Sequence, residues 1–154
     1  MKVLPDIRPE KPSGAERFFG DLCRGVARIR PLHWLLLTHV VTRPGYWFAT
    51  GCAFVYGTVL GGKHAVKNGM HYFTRMPKWA FGRGGTTIGG IYLTIDNDSD
   101  DVITHEAEHK QQWKRYGLWF IPLYIAAGAP PLTNRFEIAA DLELGGYVRK
   151  REAR

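Results

Sequence analysis

Apolar and polar positions change period several times along the chain, and each change marks an element. From Gly14 to Ile29 the apolar residues Phe18, Leu22 and Val26 recur four apart, as on one face of a short amphipathic helix. Pro31 to Val41 is apolar apart from His33, Thr38 and His39, and its pattern fits helix or strand equally well. Pro44 to Gly62 carries no charge. It falls just short of the roughly 20 apolar residues that span a bilayer and is interrupted by glycines, so buried strands or an interfacial segment are expected. Residues 45–95 are dense in Gly, Tyr, Phe, Thr and Val, with turn signals at Gly61-Gly62, Asn68-Gly69 and Gly82-Arg83-Gly84-Gly85. This reads as a small, irregular antiparallel sheet. Its last member, Thr86 to Ile95, has the composition of an edge strand, and Gly89-Gly90 imply a bulge or the close approach of another backbone.

Beyond this the period becomes helical. Asn97 to Asp101 supplies N-caps and first-turn acids for a helix over about 100–116, and Gly117 is a stop signal. Leu118 to Ala129, with Pro122 inside it, reads as an apolar helix or hairpin ended by Pro130-Pro131. Thr133 or Asn134 caps a last helix reaching Leu144 or Val148, before the basic tail Arg149-Lys150-Arg151. Residues 1–13, polar and proline-rich, are expected as an extended arm, leaving 14–154 as one α+β domain.

Composition and charge narrow the possibilities further. With 154 residues, 45% hydrophobic and 13% aromatic, the chain can bury a core and is not of the disordered class. Cys23 and Cys52 have no C-x-x-C partner, so any metal site has to use histidines and carboxylates. The amino terminus has charges and prolines where a signal peptide is apolar, which gives a cytoplasmic expectation. The formal charge of +7, with Lys63, Lys67, Arg75, Lys78 and Arg83 interleaved with aromatics, is compatible with nucleic acid or an anionic membrane surface. No nucleic-acid motif supports the first, and membrane-surface contact stays open.

The chemistry lies in His105-Glu106-Ala107-Glu108-His109, an H-E-x-x-H sequence within the 100–116 helix. Histidines four apart share a helix face and can converge on one zinc ion, while Glu106 reaches the activated water as general base. A catalytic zinc site takes three protein ligands, and no histidine follows His109. A downstream carboxylate is therefore needed. Glu137, 28 residues after His109, is the best candidate, with Asp141 one turn on to accept the outer N–H of a zinc-bound imidazole. Glu143 is the alternative ligand.

With these residues the chain resembles the gluzincin metallopeptidases, whose H-E-x-x-H is followed on a later helix by E-x-x-x-D. His105, Glu106 and His109 match the first part, and Glu137 and Asp141 the second. It is most similar to the minimal minigluzincins and related small bacterial and phage proteins, over about 86–148. The resemblance implies a small zincin-like fold with an H-E-x-x-H helix and a C-terminal ligand helix. It also implies hydrolysis of a peptide or protein substrate, which adds as a strand to a cleft rim formed by Ile88 to Leu93. The rival reading keeps the same metal ligands in a non-catalytic, zinc-stabilised structural or interaction protein. Trp113 is expected as packing, and His33, His39, His64 and His71 as structural or exposed. Nothing in the sequence aims Tyr116, Tyr124 or Arg135 at the metal.

Overall fold

The computed structural model describes residues 11–80 and 84–148, so residues 1–10 of the arm expected over 1–13, Gly82-Arg83 of the expected turn and the basic tail from Arg149 lie outside the described residues. Helix α1 (Gly14–Arg28) opens with a capping box in which Ser13 Oγ accepts from the Glu16 N–H and the Glu16 carboxylate accepts from the Ser13 N–H. Glu16 also accepts from the Ala129 N–H at 2.7 Å, tying the start of α1 to the segment after α5 (Phe120–Ala126). The ambiguous apolar stretch is helical: α2 (Arg30–Leu36) leads into α3 (His39–Val59).

Helix α3 corrects the expectation of strands over 45–62. Two of its glycines are points of close packing rather than turns: a Cβ on Gly57 would meet the Phe73 ring at 2.7 Å, and one on Gly45 the Leu118 nitrogen at 2.9 Å. No helix among the described residues is long and apolar enough to cross a membrane.

The sheet starts only after α3. Strands β1 (Lys63–Lys67) and β2 (Met70–Thr74) form a hairpin through Asn68-Gly69, both with positive φ, as a two-residue primed turn requires. The stretch expected as one terminal strand is a second hairpin, β3 (Gly85–Ile88) and β4 (Ile91–Thr94). Gly89 and Gly90 turn it and do allow a close approach, with Gly89 at φ 61° against the backbone of Thr50 on α3. The strand order is β1-β2-β4-β3, and β4 runs parallel to β2, so the sheet is mixed rather than antiparallel. Of this hairpin only β3 lies at an edge of the sheet, opposite the β1 edge; Ile91–Leu93 are interior.

Alternation along β4 sends Ile91 and Leu93 toward α3, where they pack with Ala53 and Phe73. Tyr92 faces the other way, with Tyr72 and Met70, onto Val102 and Ile103 of α4 (Asp100–Tyr116). Thr87 is opposite Tyr92 and so also faces α4. Ser99 caps α4, and Gly117 ends it at φ 56° against Thr42 of α3. A 3-10 turn (Gly117–Trp119) and α5 follow, and Tyr46, Ala49, Trp113, Phe120 and Phe136 form the core between α3 and this half. The result is an α+β fold in which the sheet lies between α3 and α4.

Gly89→Val should be among the most damaging single changes. A Cβ there would lie 2.4 Å from the Thr50 nitrogen on a backbone with φ 61°, so a loss of about 3 kcal/mol or more is expected in denaturant unfolding.

Candidate metal centre

His105 and His109 occupy successive turns of α4 on its buried side, and Glu137 comes from α6 (Arg135–Ala139). Helix α6 starts where Asn134 accepts from the Phe136 N–H, and the fully buried Asn134 amide donates to the carbonyls of Tyr124 and Gly128. That anchorage points Glu137 at the two rings. His105 Nε2 is 3.2 Å from His109 Nε2 and 3.2 Å from Glu137 Oε2, and His109 Nε2 is 3.4 Å from Glu137 Oε1.

The outer edges of the rings fix their tautomers. His105 Nδ1–H donates to the backbone carbonyl of Asp141 at 2.9 Å, an atom that can only accept. Gln112 Nε2 donates to the Phe136 carbonyl, which turns Gln112 Oε1 toward His109, and Nδ1–H donates to it at 2.9 Å. Both Nε2 atoms are then lone-pair donors that converge with a carboxylate in a buried place. Three acceptors facing one another need a cation between them. Donors about 2.0–2.1 Å from a common tetrahedral ion lie about 3.3–3.4 Å apart, which is the spacing found here. The buried His105, His109 and Glu137 group could thus hold a metal ion.

Without an ion, protons take its place. Burial pulls both imidazoles down, but the hydrogen bond to Glu137 and the nearby carboxylates more than offset this, leaving both above the usual histidine range. Burial pushes Glu137 up, and the bonds from His105, His109 and Tyr124 overcome it and hold the carboxyl below its usual range. A raised histidine stabilises the metal-free fold below about pH 6.5 and loses that contribution as pH rises through its folded value. A lowered glutamate contributes above about pH 4.5 and loses it as pH falls. Metal competes with the imidazole protons, so the melting-temperature gap between metal-loaded and metal-free protein should widen from about pH 6 to pH 8. Calorimetry at matched ionic strength checks this; a constant or narrowing gap contradicts it.

Glu106 faces the sheet side of α4. Thr87 Oγ1 donates to its Oε2 at 2.8 Å, and the Trp113 indole N–H donates to the Thr87 carbonyl at 2.9 Å, holding β3 against α4. Trp113 is therefore packing and also a hydrogen-bonding brace. Burial raises the Glu106 carboxyl despite the opposing pull of His109 and Thr87. Glu106, His109 and Glu137 line a cleft of about 290 Å³ bounded by β3 on one side and by Phe120, Ile121 and Tyr124 on another.

Two of the expected roles change. Helix α6 ends at Ala139 instead of reaching Leu144, because Asp141 takes φ 73° and its carboxylate accepts from the N–H groups of Glu143 and Leu144. Asp141 thus serves His105 through its backbone carbonyl, not its carboxylate. Glu143 is exposed and outside the donor group. The Tyr124 hydroxyl donates to Glu137 Oε1, while Tyr116 packs on Phe120 and Arg135 lies over the Phe136 ring. Gln112 was readable as the residue at i+3 on the His109 face; Tyr147, whose ring meets the edge of His105, had no sequence signal. His64 and His71 are exposed and pair with each other across β1 and β2.

These contacts predict opposite outcomes for two variants. Gln112→Leu should weaken metal binding about 10–100-fold, by removing the acceptor that orients His109. Asp141→Asn should bind as wild type, since the carbonyl stays and Asn tolerates positive φ. Chelator competition measures both, and the reverse ranking would contradict the assignment.

Comparison with protein-family models, with curated proteins and with solved structures finds no match to this chain.

Proposed function

We propose that the chain is a zinc-dependent peptide hydrolase of the minimal gluzincin type, with His105, His109 and Glu137 as ligands and Glu106 as general base. The observation that carries this reading is the convergence of three acceptors beside a cleft that Glu106 also lines. Two imidazoles and one carboxylate at tetrahedral spacing suit zinc. When bound, zinc supplies Lewis acidity that makes water a nucleophile near neutral pH and polarises a peptide carbonyl.

The chain's own residues do the rest. Glu106 is one residue from His105, and its raised carboxyl brings its proton affinity nearer to that needed for exchange at neutral pH. Thr87 holds Oε2, which leaves Glu106 oriented to take the proton of the attacking water and return it to the leaving amine nitrogen. Strand β3 is a sheet edge along the cleft, so an extended peptide can hydrogen-bond to its main chain with little demand on sequence. The apolar wall of Phe120, Ile121 and Ile125 completes the cleft.

The test is to incubate zinc-loaded protein with a mixed-sequence peptide library and detect new termini by mass spectrometry. Cleavage that chelator stops and zinc restores is expected. A fully zinc-loaded protein that cleaves nothing would reduce the ion to a clamp between α4 and α6.

A further inference from the structure

Helix α3 carries apolar residues on its inner and its outer side, yet among the described residues only the inner side is covered. Thr42, Tyr46, Ala49 and Ala53 are buried against the sheet and α4, while Val40, Trp47, Phe48, Val55 and Val59 are 82%, 66%, 65%, 61% and 77% exposed. Spacings of seven or eight and then four residues put those five on one stripe, opposite the buried one. At about 1.5 Å per residue the 21-residue helix presents a ridge about 30 Å long. Phe48 also borders a shallow apolar hollow with Leu118 and Trp119, so the ridge continues onto the turn after α4. Contiguous apolar surface of this kind marks an interaction site.

Charge identifies what lies against it. No Asp or Glu occurs between Asp21 and Asp96, while nine Lys and Arg residues do. Arg24 pairs with Asp21 and Lys67 with Asp100, but Arg43 is exposed one turn from both Val40 and Trp47, and exposed Lys63 follows the end of α3. A second copy would bring the same acid-free, cationic segment against itself. An anionic lipid surface complements both properties: headgroups meet the cations, and the aromatic and aliphatic ridge enters the acyl boundary, where tryptophan is favoured.

We propose that the outer face of α3 seats the protein on a bilayer rich in anionic phospholipid, with Trp47 and Phe48 inserted and Arg43 and Lys63 at headgroup level. None of these residues belongs to the metal centre, so the proposal stands or fails independently of the hydrolase reading. The test is co-sedimentation of the full chain with vesicles of phosphatidylcholine alone and with vesicles carrying about 30 mol% phosphatidylserine. Partition onto the anionic vesicles should be at least about tenfold higher, weaken with salt and shift tryptophan emission to the blue. Trp47→Ser/Phe48→Ser should lower that partition about tenfold or more, as should Val55→Ser/Val59→Ser, while Ile138→Ser, an exposed apolar change on α6, should bind as wild type. Circular dichroism checks that each variant is folded. Equal binding to both vesicle types, or ridge variants that bind as wild type, would overturn the proposal. A concentration-dependent dimer lost in the ridge variants, without vesicle uptake, would overturn it too and assign the face to a second copy.

Discussion

Glu106→Gln should abolish most peptide hydrolysis while leaving metal content and melting temperature close to wild type. The amide keeps the volume of the side chain and can still accept the Thr87 hydroxyl hydrogen bond at its oxygen. It cannot take a proton from water. General base catalysis accounts for about 100- to 10,000-fold in rate, and a loss of that size in kcat is expected with KM little changed. Because Glu106 lies outside the group of metal donors, the variant separates catalysis from metal binding. Hydrolysis by the Gln variant at the wild-type rate would remove Glu106 from the reaction.

The second large effect is on stability. His105→Ala removes one of two imidazoles that meet Glu137 and leaves the carboxylate buried with His109 and Tyr124. Loss of one partner from a buried charged group costs about 3 kcal/mol or more, which in a chain of this size lowers the melting temperature by about 10 °C. Loss of metal adds to this, because binding free energy is also folding free energy. Chelator should lower the melting temperature of the wild type and leave that of His105→Ala unmoved. Equal shifts in both would mean that the ion stabilising the fold is held elsewhere.

The helical parts of the site were legible because their signals are local. Ser99, the acids after it, the i,i+4 histidines and Gly117 all concern one element, and α4 runs from Asp100 to Tyr116 as its pattern predicts. Helix α1 is legible for the same reason, and its Ser13–Glu16 capping box is a local signal too. Helix α3 is not legible in this way, because periodicity weakens when apolar residues fall on both the buried and the outer side, and because Gly45 and Gly57, which serve close packing, look like turn glycines. The sheet's parallel β2–β4 pairing and the β3–β4 hairpin depend on contacts distant in sequence. At the metal centre the histidines and Glu137 come together as their spacing implies, but the partner of His105 did not follow helical periodicity. The helix carrying Glu137 stops at Ala139, and the backbone of Asp141 reaches the ring in place of its side chain.

Elemental analysis of tag-free protein decides whether His105, His109 and Glu137 hold a metal ion. About one zinc ion per wild-type chain is expected, and far less in His105→Ala, His109→Ala and Glu137→Gln, with Asp141→Asn and Glu106→Gln loaded as wild type. A folded wild-type protein that carries no metal and takes up none when zinc is added would contradict it, as would full loading of the His109→Ala and Glu137→Gln variants.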